Sequence, residues 1–287
     1  MDTILVTGAT GNLGNAVVEA LLEKGLNVRA ATRHTTKIKW TDRVRPVLFD
    51  YEDQGLHKAA LDNVSGVFLI APPLDYRAPE KLIPFIDKAK TMEVRHIVFN
   101  SAFKANSDEQ NPLSIVEQYL MRSGLDFTIL RPNFFMENFS TGWLGSMILS
   151  NSGMWLPADD AETSFISVAD IARVVAVCFQ ERRSGEQYNL TGNKALSYGE
   201  AARIISDVCG RTVTYNPISE TEFREGARKQ GLSENAIQYM AQLFALVRKG
   251  LMAEVTDTVR KVTGKIPISF NEFAEKTAHI WKMRKAA

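Results

Sequence analysis

Residues 4–14 read Ile4-Leu-Val-Thr-Gly8-Ala-Thr-Gly11-Asn-Leu-Gly14. An apolar run typical of a β-strand leads into a G-x-x-G-x-x-G turn, and apolar residues at helical spacing follow. In such a unit Gly8 permits a tight turn, Gly11 lets the backbone approach a pyrophosphate, and Gly14 lets helix and strand pack closely. Because the positive end of the helix attracts diphosphate charge, the stretch predicts a dinucleotide site rather than a purely structural glycine turn. The predicted cofactor-binding residues in this turn are Gly8, Thr10, Gly11, Asn12 and Leu13.

The rest of the first half alternates β-rich runs with helical patterns. Some of these runs are apolar throughout, as expected for parallel strands that are covered on both faces. The alternation therefore predicts an α/β fold with a doubly wound parallel sheet of the Rossmann type. The predicted strands are Thr3–Thr7, Asn27–Thr32, Arg45–Phe49, Gly66–Ala71, His96–Asn100 and Phe127–Leu130.

Beyond about residue 192 the pattern becomes mostly helical. Capping-box patterns mark three helix starts there, at Ser197, Ser219 and Ser269. We predict a nucleotide-binding domain over residues 1–192, with loops around 133–165 that line a substrate cleft. A smaller, mostly helical substrate subdomain is predicted over residues 193–287.

Composition narrows the function classes. With 34 Lys and Arg against 33 Asp and Glu, the net charge is +1, so no broad positive field gathers nucleic acid. The uncharged stretch 138–158 contains glycines, serines and a proline that a membrane-spanning helix would not tolerate. Cys178 and Cys209 each fit an apolar helical pattern, which indicates buried thiols in a reducing compartment and a cytoplasmic location. No metal site is expected, because no ligand spacing joins His34, His57, His96 and His279.

The end of the second strand selects the dinucleotide. It reads Ala30-Ala31-Thr32-Arg33-His34, with no carboxylate to accept hydrogen bonds from a ribose 2′-hydroxyl. The guanidinium of Arg33 suits a 2′-phosphate, with Lys37 as a second cation. The prediction is NADP(H) rather than NAD, and the alternative is that Arg33 merely solvates a strand end.

Other strand ends belong to the same predicted pocket, because ligands of such sheets bind outside the carboxyl ends of the strands. Asp50 is predicted to contact the adenine amine, although a turn cap explains it nearly as well. Small, rigid residues after the fourth strand would let the backbone run close to the cofactor. The further predicted cofactor-binding residues are Asp50, Tyr51, Ala71, Pro72 and Ser101.

Longer motifs point to a family. They are GATGNLG at 8–14, HIVxxSA at 96–102, SGLxxTILRP at 123–132 and VADIA at 168–172. With these motifs the chain resembles NmrA-like proteins, in the atypical short-chain dehydrogenase/reductase group. Further segments are similar to a branch that includes triphenylmethane-dye and quinone reductases and festuclavine-dehydrogenase-type enzymes. These segments are 70–73, 84–89, 135–139, 256–259 and 262–264. The resemblance covers nearly the whole chain and implies a Rossmann-type NAD(P)-binding oxidoreductase.

One departure bears on mechanism. Typical short-chain dehydrogenases carry Tyr-x-x-x-Lys on the helix after the fifth strand, where Lys lowers the Tyr pKa. Here Tyr119 is followed four residues later by Ser123, and Arg122 cannot relay a proton as Lys does. Alcohol oxidation by the standard route is therefore not expected.

A hydride acceptor that is already electron-poor needs orientation and exclusion of water more than a strong acid. We therefore predict an NADPH-dependent reductase of small, conjugated, apolar electrophiles such as quinones, iminium ions, azo compounds or cationic dyes. The predicted acceptor-binding residues, which core packing would explain equally well, are Phe134, Phe135, Met136 and Trp143. The predicted orienting, catalytic groups are Ser101, Asn133 and Asn138.

A different hypothesis follows from the same missing dyad. The chain would then be an NmrA-like redox-sensing regulator that binds NADP and a protein partner without catalysis. A sugar-nucleotide epimerase or dehydratase is less favoured, since those enzymes also depend on the Tyr/Lys pair. The oligomeric state is left open by the sequence.

Overall fold

The computed structural model describes residues 2–37 and 41–282. The strands there are β1 (Thr3–Val6), β2 (Asn27–Thr32), β3 (Val44–Leu48), β4 (Gly66–Ile70), β5 (His96–Asn100), β6 (Asp126–Pro132), β7 (Gly153–Leu156), β8 (Glu162–Thr163), β9 (Glu186–Leu190), β10 (Leu196–Ser197) and β11 (Thr214–Pro217). The α-helices are α1 (Asn12–Glu23), α2 (Gln54–Leu61), α3 (Ala78–Thr91), α4 (Pro112–Arg122), α5 (Gly142–Asn151), α6 (Val168–Glu181), α7 (Tyr198–Cys209), α8 (Glu220–Lys229), α9 (Glu234–Arg248), α10 (Thr258–Thr263) and α11 (Phe270–Lys282).

Within the described residues, seven strands form one parallel sheet in the order β3-β2-β1-β4-β5-β6-β9. The chain winds outward from β1 in one direction and then from β4 in the other. The predicted doubly wound, Rossmann-type parallel sheet is confirmed. In such sheets ligands bind in the crevice where the strand order reverses, which here is between β1 and β4.

The apolar runs become the buried middle of the sheet. Every residue of β5 is buried, and so are the first four of β4. On one face Leu69 and Phe99 pack with Phe85 of α3 and Leu120 of α4. On the other face α1 lies against α6. Coverage on both faces explains why these strands lack polar alternation.

The chain divides into two compact units. Unit 1 comprises residues 1–132, 168–190 and 261–264, and it contains the parallel sheet. Unit 2 comprises residues 133–167, 191–260 and 265–287. The chain thus passes between the two units several times along its length. The division into domains at residues 192 and 193 stays a prediction.

Unit 2 is rich in helices and has two small sheets, β7 with β11 and β8 with β10. The three predicted capping boxes are present, with Ser197, Ser219 and Ser269 each accepting from the backbone three residues later. Its core is aromatic, and the indole of Trp281 donates to the carbonyl of Phe139 at 2.9 Å. No helix in the described parts of the chain combines the length and apolarity needed to cross a membrane.

Candidate dinucleotide and acceptor sites

The glycine turn follows β1 at the β1/β4 reversal point. Gly8 has φ +63°, in the left-handed region where a side chain is strained. A Cβ atom on Gly14 would stand 2.1 Å from the carbonyl oxygen of Gly8, so only glycine lets α1 start this close to the turn. Both residues are therefore required by the packing of the chain itself.

Gly11 differs from the other two glycines. Its φ of −82° suits any residue, and an added Cβ would meet only the Gly8 oxygen at 3.4 Å, an ordinary contact. Gly11 is exposed, so the fold gives no steric reason for glycine there. A ligand lying against the backbone would supply that reason.

The first turn of α1 is suited to an anion. Gly11 is the N-cap residue and forms no side-chain cap, and the turn contains no acidic residue. The first N–H groups of a helix lack intrahelical acceptors. Thr10 and Asn12 are exposed at this end, whereas Leu13 is buried. The predicted cofactor residues thus surround the N-terminus of α1, whose N-cap residue, Gly11, forms no side-chain cap.

Side chains fasten β1 to β4 beneath the turn. The hydroxyl of Thr7 donates to the Phe68 carbonyl at 3.0 Å and accepts from the Ile70 N–H at 3.0 Å. The phenol of Tyr51 donates to the Ile70 carbonyl at 2.9 Å, and burial raises the pKa of Tyr51. The predicted residues Ala71 and Pro72 follow directly and are half-buried. Tyr51 thus stays protonated and holds the end of β4.

Arg33, directly after β2, is exposed. Among residues 2–37 and 41–282, no acidic side chain pairs with it. Its guanidinium is therefore available for a phosphate. Asp50 is half-buried and accepts from the Glu52 N–H at 3.1 Å, which is the turn-cap geometry of the alternative interpretation. The side chain of Lys37 lies outside the described residues.

A buried polar cluster lies at the carboxyl ends of β5 and β6. Ser101 donates its hydroxyl hydrogen to Glu117 on α4. Arg131 donates through Nε to both Glu117 oxygens, at 3.0 and 3.1 Å, and through Nη2 to Oε2 at 2.6 Å. The same Nη2 lies 2.7 Å from Oε1 of Gln187 in β9. With Glu117 1% and Arg131 6% exposed, the ion pair is shielded from water.

Sequence reasoning missed this ion pair and also missed Asn100. Glu117 lies on the apolar face of α4, four residues after the buried Leu113, and this position could have marked it as buried. Asn100 is 6% exposed, and its side-chain amide oxygen Oδ1 has no hydrogen-bond partner among the described residues. No local sequence signal indicates that the Asn100 side chain would be buried with an unpaired oxygen at the end of β5.

The three predicted orienting donors differ in whether their donor hydrogens already form hydrogen bonds within the protein. The amide of Asn133, in unit 2, donates to the Ser164 hydroxyl at 2.8 Å and to the Met252 carbonyl at 2.9 Å. Ser101 donates to Glu117. Asn138 is exposed, and no described residue bonds its side chain. A role as hydrogen-bond donor to a substrate therefore stays a prediction for all three residues. Asn138 could take this role without breaking a side-chain hydrogen bond to a described residue.

The predicted acceptor-binding residues all belong to unit 2. Phe134 and Phe135 are half-buried, with the Phe134 ring centroid 6.4 Å from that of Phe244. Met136 is 2% exposed and lines a cavity of about 360 Å³ within this unit. The indole of Trp143 donates to Gln230 at 2.6 Å. Contact with an acceptor stays a prediction for all four, and Met136 is the most buried of them.

On α4, where a Tyr/Lys dyad would lie, the side chain of Tyr119 forms a different hydrogen bond. The phenol of Tyr119 donates to Asp87, and this bond raises the pKa of Tyr119. Arg122, at the end of α4, is exposed. Among residues 2–37 and 41–282, no group of three His, Cys, Asp or Glu side chains has the arrangement of a metal site.

The sequence matches a family model described as the NmrA-like family over residues 1–274. The prestalk A differentiation protein A of Dictyostelium discoideum is 32% identical over 281 residues, covering 96% of this chain and 92% of that protein. The NAD(P)H azoreductase of Xenophilus azovorans is 31% identical, covering 96% of this chain and 98% of that protein. The agroclavine dehydrogenase of Claviceps fusiformis is 29% identical, covering 98% and 99%.

Solved structures share the fold over nearly the full length. An NADPH-dependent quinone oxidoreductase from Escherichia coli, complexed with NADPH, has TM-score 0.81 at 23% identity, covering 96% of this chain and 99% of that chain. The Citrobacter sp. triphenylmethane reductase complexed with NADP(H) has TM-score 0.80 at 22% identity, covering 97% and 100%.

Proposed function

Because the chain belongs to the NmrA-like family, we propose that it is an NADPH-dependent reductase that transfers hydride to a small, conjugated electrophile. The acceptor classes are quinones, iminium ions, azo compounds and cationic dyes. The relatives named as an NAD(P)H azoreductase and an agroclavine dehydrogenase support the oxidoreductase class.

The observation that carries the cofactor half is the contrast among the glycines. Gly8 and Gly14 are required by backbone conformation and packing, whereas Gly11 is exposed and has room for a Cβ. The same residue is the N-cap of α1 and, as a glycine, forms no side-chain cap. A diphosphate against the backbone at Gly11 accounts for both features.

Arg33 is proposed to bind the 2′-phosphate, since it is exposed at the end of β2 and pairs with no acidic side chain within residues 2–37 and 41–282, and since no carboxylate directly follows that strand. When bound, NADPH supplies a hydride for transfer. The proposed tasks of the chain are to hold the phosphates, to orient a flat acceptor against Phe134 and Phe135, and to exclude water. A Tyr/Lys acid is not part of the proposal, since Tyr119 bonds Asp87 and Ser123 stands where Lys would be.

The test is a turnover assay with the purified protein. NADPH is mixed with a panel of quinones, azo dyes, triphenylmethane dyes and cyclic iminium salts, and the absorbance of the reduced nicotinamide is followed. Calorimetry measures NADP⁺ and NAD⁺ binding in parallel. We expect NADP⁺ to bind more tightly than NAD⁺ and at least one acceptor class to be reduced.

A second candidate is a redox-sensing regulator that binds NADP without turnover. It is favoured by one relative, whose name refers to differentiation rather than to a reaction. Tight NADP⁺ binding with no turnover of any acceptor class would support the regulator and reject the reductase. Absence of NADP(H) binding would reject both.

A further inference from the structure

Ser101 lies where β5 ends, at the sheet edge to which the proposed function assigns the cofactor. Its hydroxyl is turned toward α4 and donates to Glu117. Ser101 is 4% exposed, and its own N–H donates to the Leu130 carbonyl at 2.8 Å. The residue is therefore held by its backbone and by its side chain, and its orientation is set from within unit 1.

The charge on Glu117 decides the direction of the Ser101 hydrogen bond. Three N–H contacts from Arg131, at 2.6 to 3.1 Å, bind the two carboxylate oxygens, which is the arrangement of an ionised carboxylate with a guanidinium. An ionised carboxylate only accepts hydrogen bonds. The hydrogen between Ser101 and Glu117 must therefore come from the serine.

A serine hydroxyl has one hydrogen and two lone pairs. We propose that Glu117, held by Arg131, fixes Ser101 as a hydrogen-bond acceptor toward any bound molecule. Ser101 then has no hydrogen to donate to the oxygen of a substrate carbonyl. Glu117 and Arg131 act as positioning residues, because they work through Ser101 and touch no reacting atom in this assignment.

The assignment bears on which acceptors benefit from Ser101, and to that extent it rests on the proposed function. A quinone takes up a hydride and one proton, and a hydrogen bond donated to its oxygen stabilises the negative charge that develops there. A triphenylmethane cation takes up a hydride at carbon and needs no proton. Ser101 in the acceptor state therefore gives no selective assistance to the quinone.

The first experiment compares Ser101→Ala with the parent protein on a naphthoquinone and on a triphenylmethane dye cation. We expect kcat/KM to change by the same factor for both, within about threefold, since no donated hydrogen bond is lost. A general loss of structure would also leave the ratio of the two values unchanged. A selective loss with the quinone of about 100-fold or more would overturn the proposal, because oxyanion donors contribute that much.

The second experiment reverses the polarity with Glu117→Gln. The amide oxygen of glutamine would face Arg131, and its NH₂ group would face Ser101, which frees the serine hydrogen. We expect the ratio of quinone to dye kcat/KM to rise about tenfold or more, and this rise to vanish when Ser101→Ala is added. A correctly folded Glu117→Gln variant whose ratio is unchanged would contradict the proposal. If that variant does not fold, the infrared spectrum of the Glu117 carboxylate in the parent protein and in Ser101→Ala decides the direction of the hydrogen bond.

A third measurement does not depend on turnover. Infrared difference spectra between the parent and Ser101→Ala at neutral pH should show a shifted carboxylate stretch and no stretch of a protonated carboxyl group. A protonated carboxyl band would show that Glu117 is the donor and would overturn the proposal. If no acceptor is reduced, the reductase assignment fails, while this spectrum still decides the direction of the hydrogen bond.

Discussion

The carbonyl oxygen of Gly8 occupies the space that a Cβ atom on Gly14 would need, at 2.1 Å. This contact brings the start of α1 against the end of β1. The fold therefore requires glycine at positions 8 and 14, whereas position 11 has room for a Cβ atom. This difference can be tested by substitution.

Gly11→Ala should leave the fold intact and weaken cofactor binding. We expect the free energy of unfolding to change by about 1 kcal/mol or less, since φ is ordinary there. NADPH affinity should fall about tenfold or more, because the methyl group would occupy the space of the diphosphate. Chemical denaturation and calorimetry provide the two measurements.

The matched control for Gly11→Ala is Gly14→Ala, which should lose more than about 3 kcal/mol of stability through the clash with Gly8. If Gly11→Ala binds NADPH as tightly as the parent protein does, the diphosphate does not lie against that backbone.

Arg33→Ala should separate the two dinucleotides. The loss of charge-assisted hydrogen bonds to a 2′-phosphate should raise the NADPH Kd about 10- to 100-fold, and the NADH Kd less than about threefold. Calorimetry at two salt concentrations measures both constants. Arg45→Ala, an exposed arginine on β3, is the control for the general loss of a positive charge. Equal weakening of the two cofactors would remove Arg33 from the 2′-phosphate.

Phe135→Ala and Met136→Ala should give different results, because Phe135 is half-buried and Met136 is 2% exposed. Phe135→Ala should raise the acceptor KM about tenfold while leaving the NADPH Kd unchanged. Met136→Ala should chiefly cost stability, about 2 to 4 kcal/mol, through the cavity that it leaves. Steady-state kinetics and thermal unfolding distinguish the two effects. An unchanged acceptor KM in Phe135→Ala would show that the ring packs within the protein and does not contact the acceptor.

Acid should destabilise the chain through His96. Burial lowers the pKa of His96 to about 4 from 6.5, and its Nε2 lies 2.9 Å from the Thr128 hydroxyl. Below pH 6.5 the unfolded chain therefore binds a proton that the folded chain excludes. Stability falls from there down to the folded pKa near 4. The loss from this group is about 2 kcal/mol at pH 5 relative to pH 8.

Urea denaturation of the parent and of His96→Gln at pH 8, 6 and 5 measures the slope. Because the variant has no imidazole at this position, its stability should fall by about 2 kcal/mol less than that of the parent between pH 8 and pH 5. Identical slopes for the two proteins would show that His96 does not carry this proton linkage. His57, whose pKa burial also lowers, adds to the residual slope of both.

Local patterns determined the family and the sheet. Continuous apolar runs are the mark of strands covered on both faces, and the glycine spacing is a backbone requirement within one turn. The match over residues 1–274 and the order of the parallel strands confirm both predictions. These properties could be predicted because each signal lies within a few neighbouring residues.

Only the tertiary structure decided which polar side chains are free. Glu117 and Arg131 stand 14 positions apart, and they meet because α4 packs beside β6. Asn133 finds a partner 119 positions away at Met252, which uses both of its amide hydrogens together with Ser164. A hydrogen bond between distant segments depends on how whole elements pack, so no window of sequence shows that the donor is already engaged.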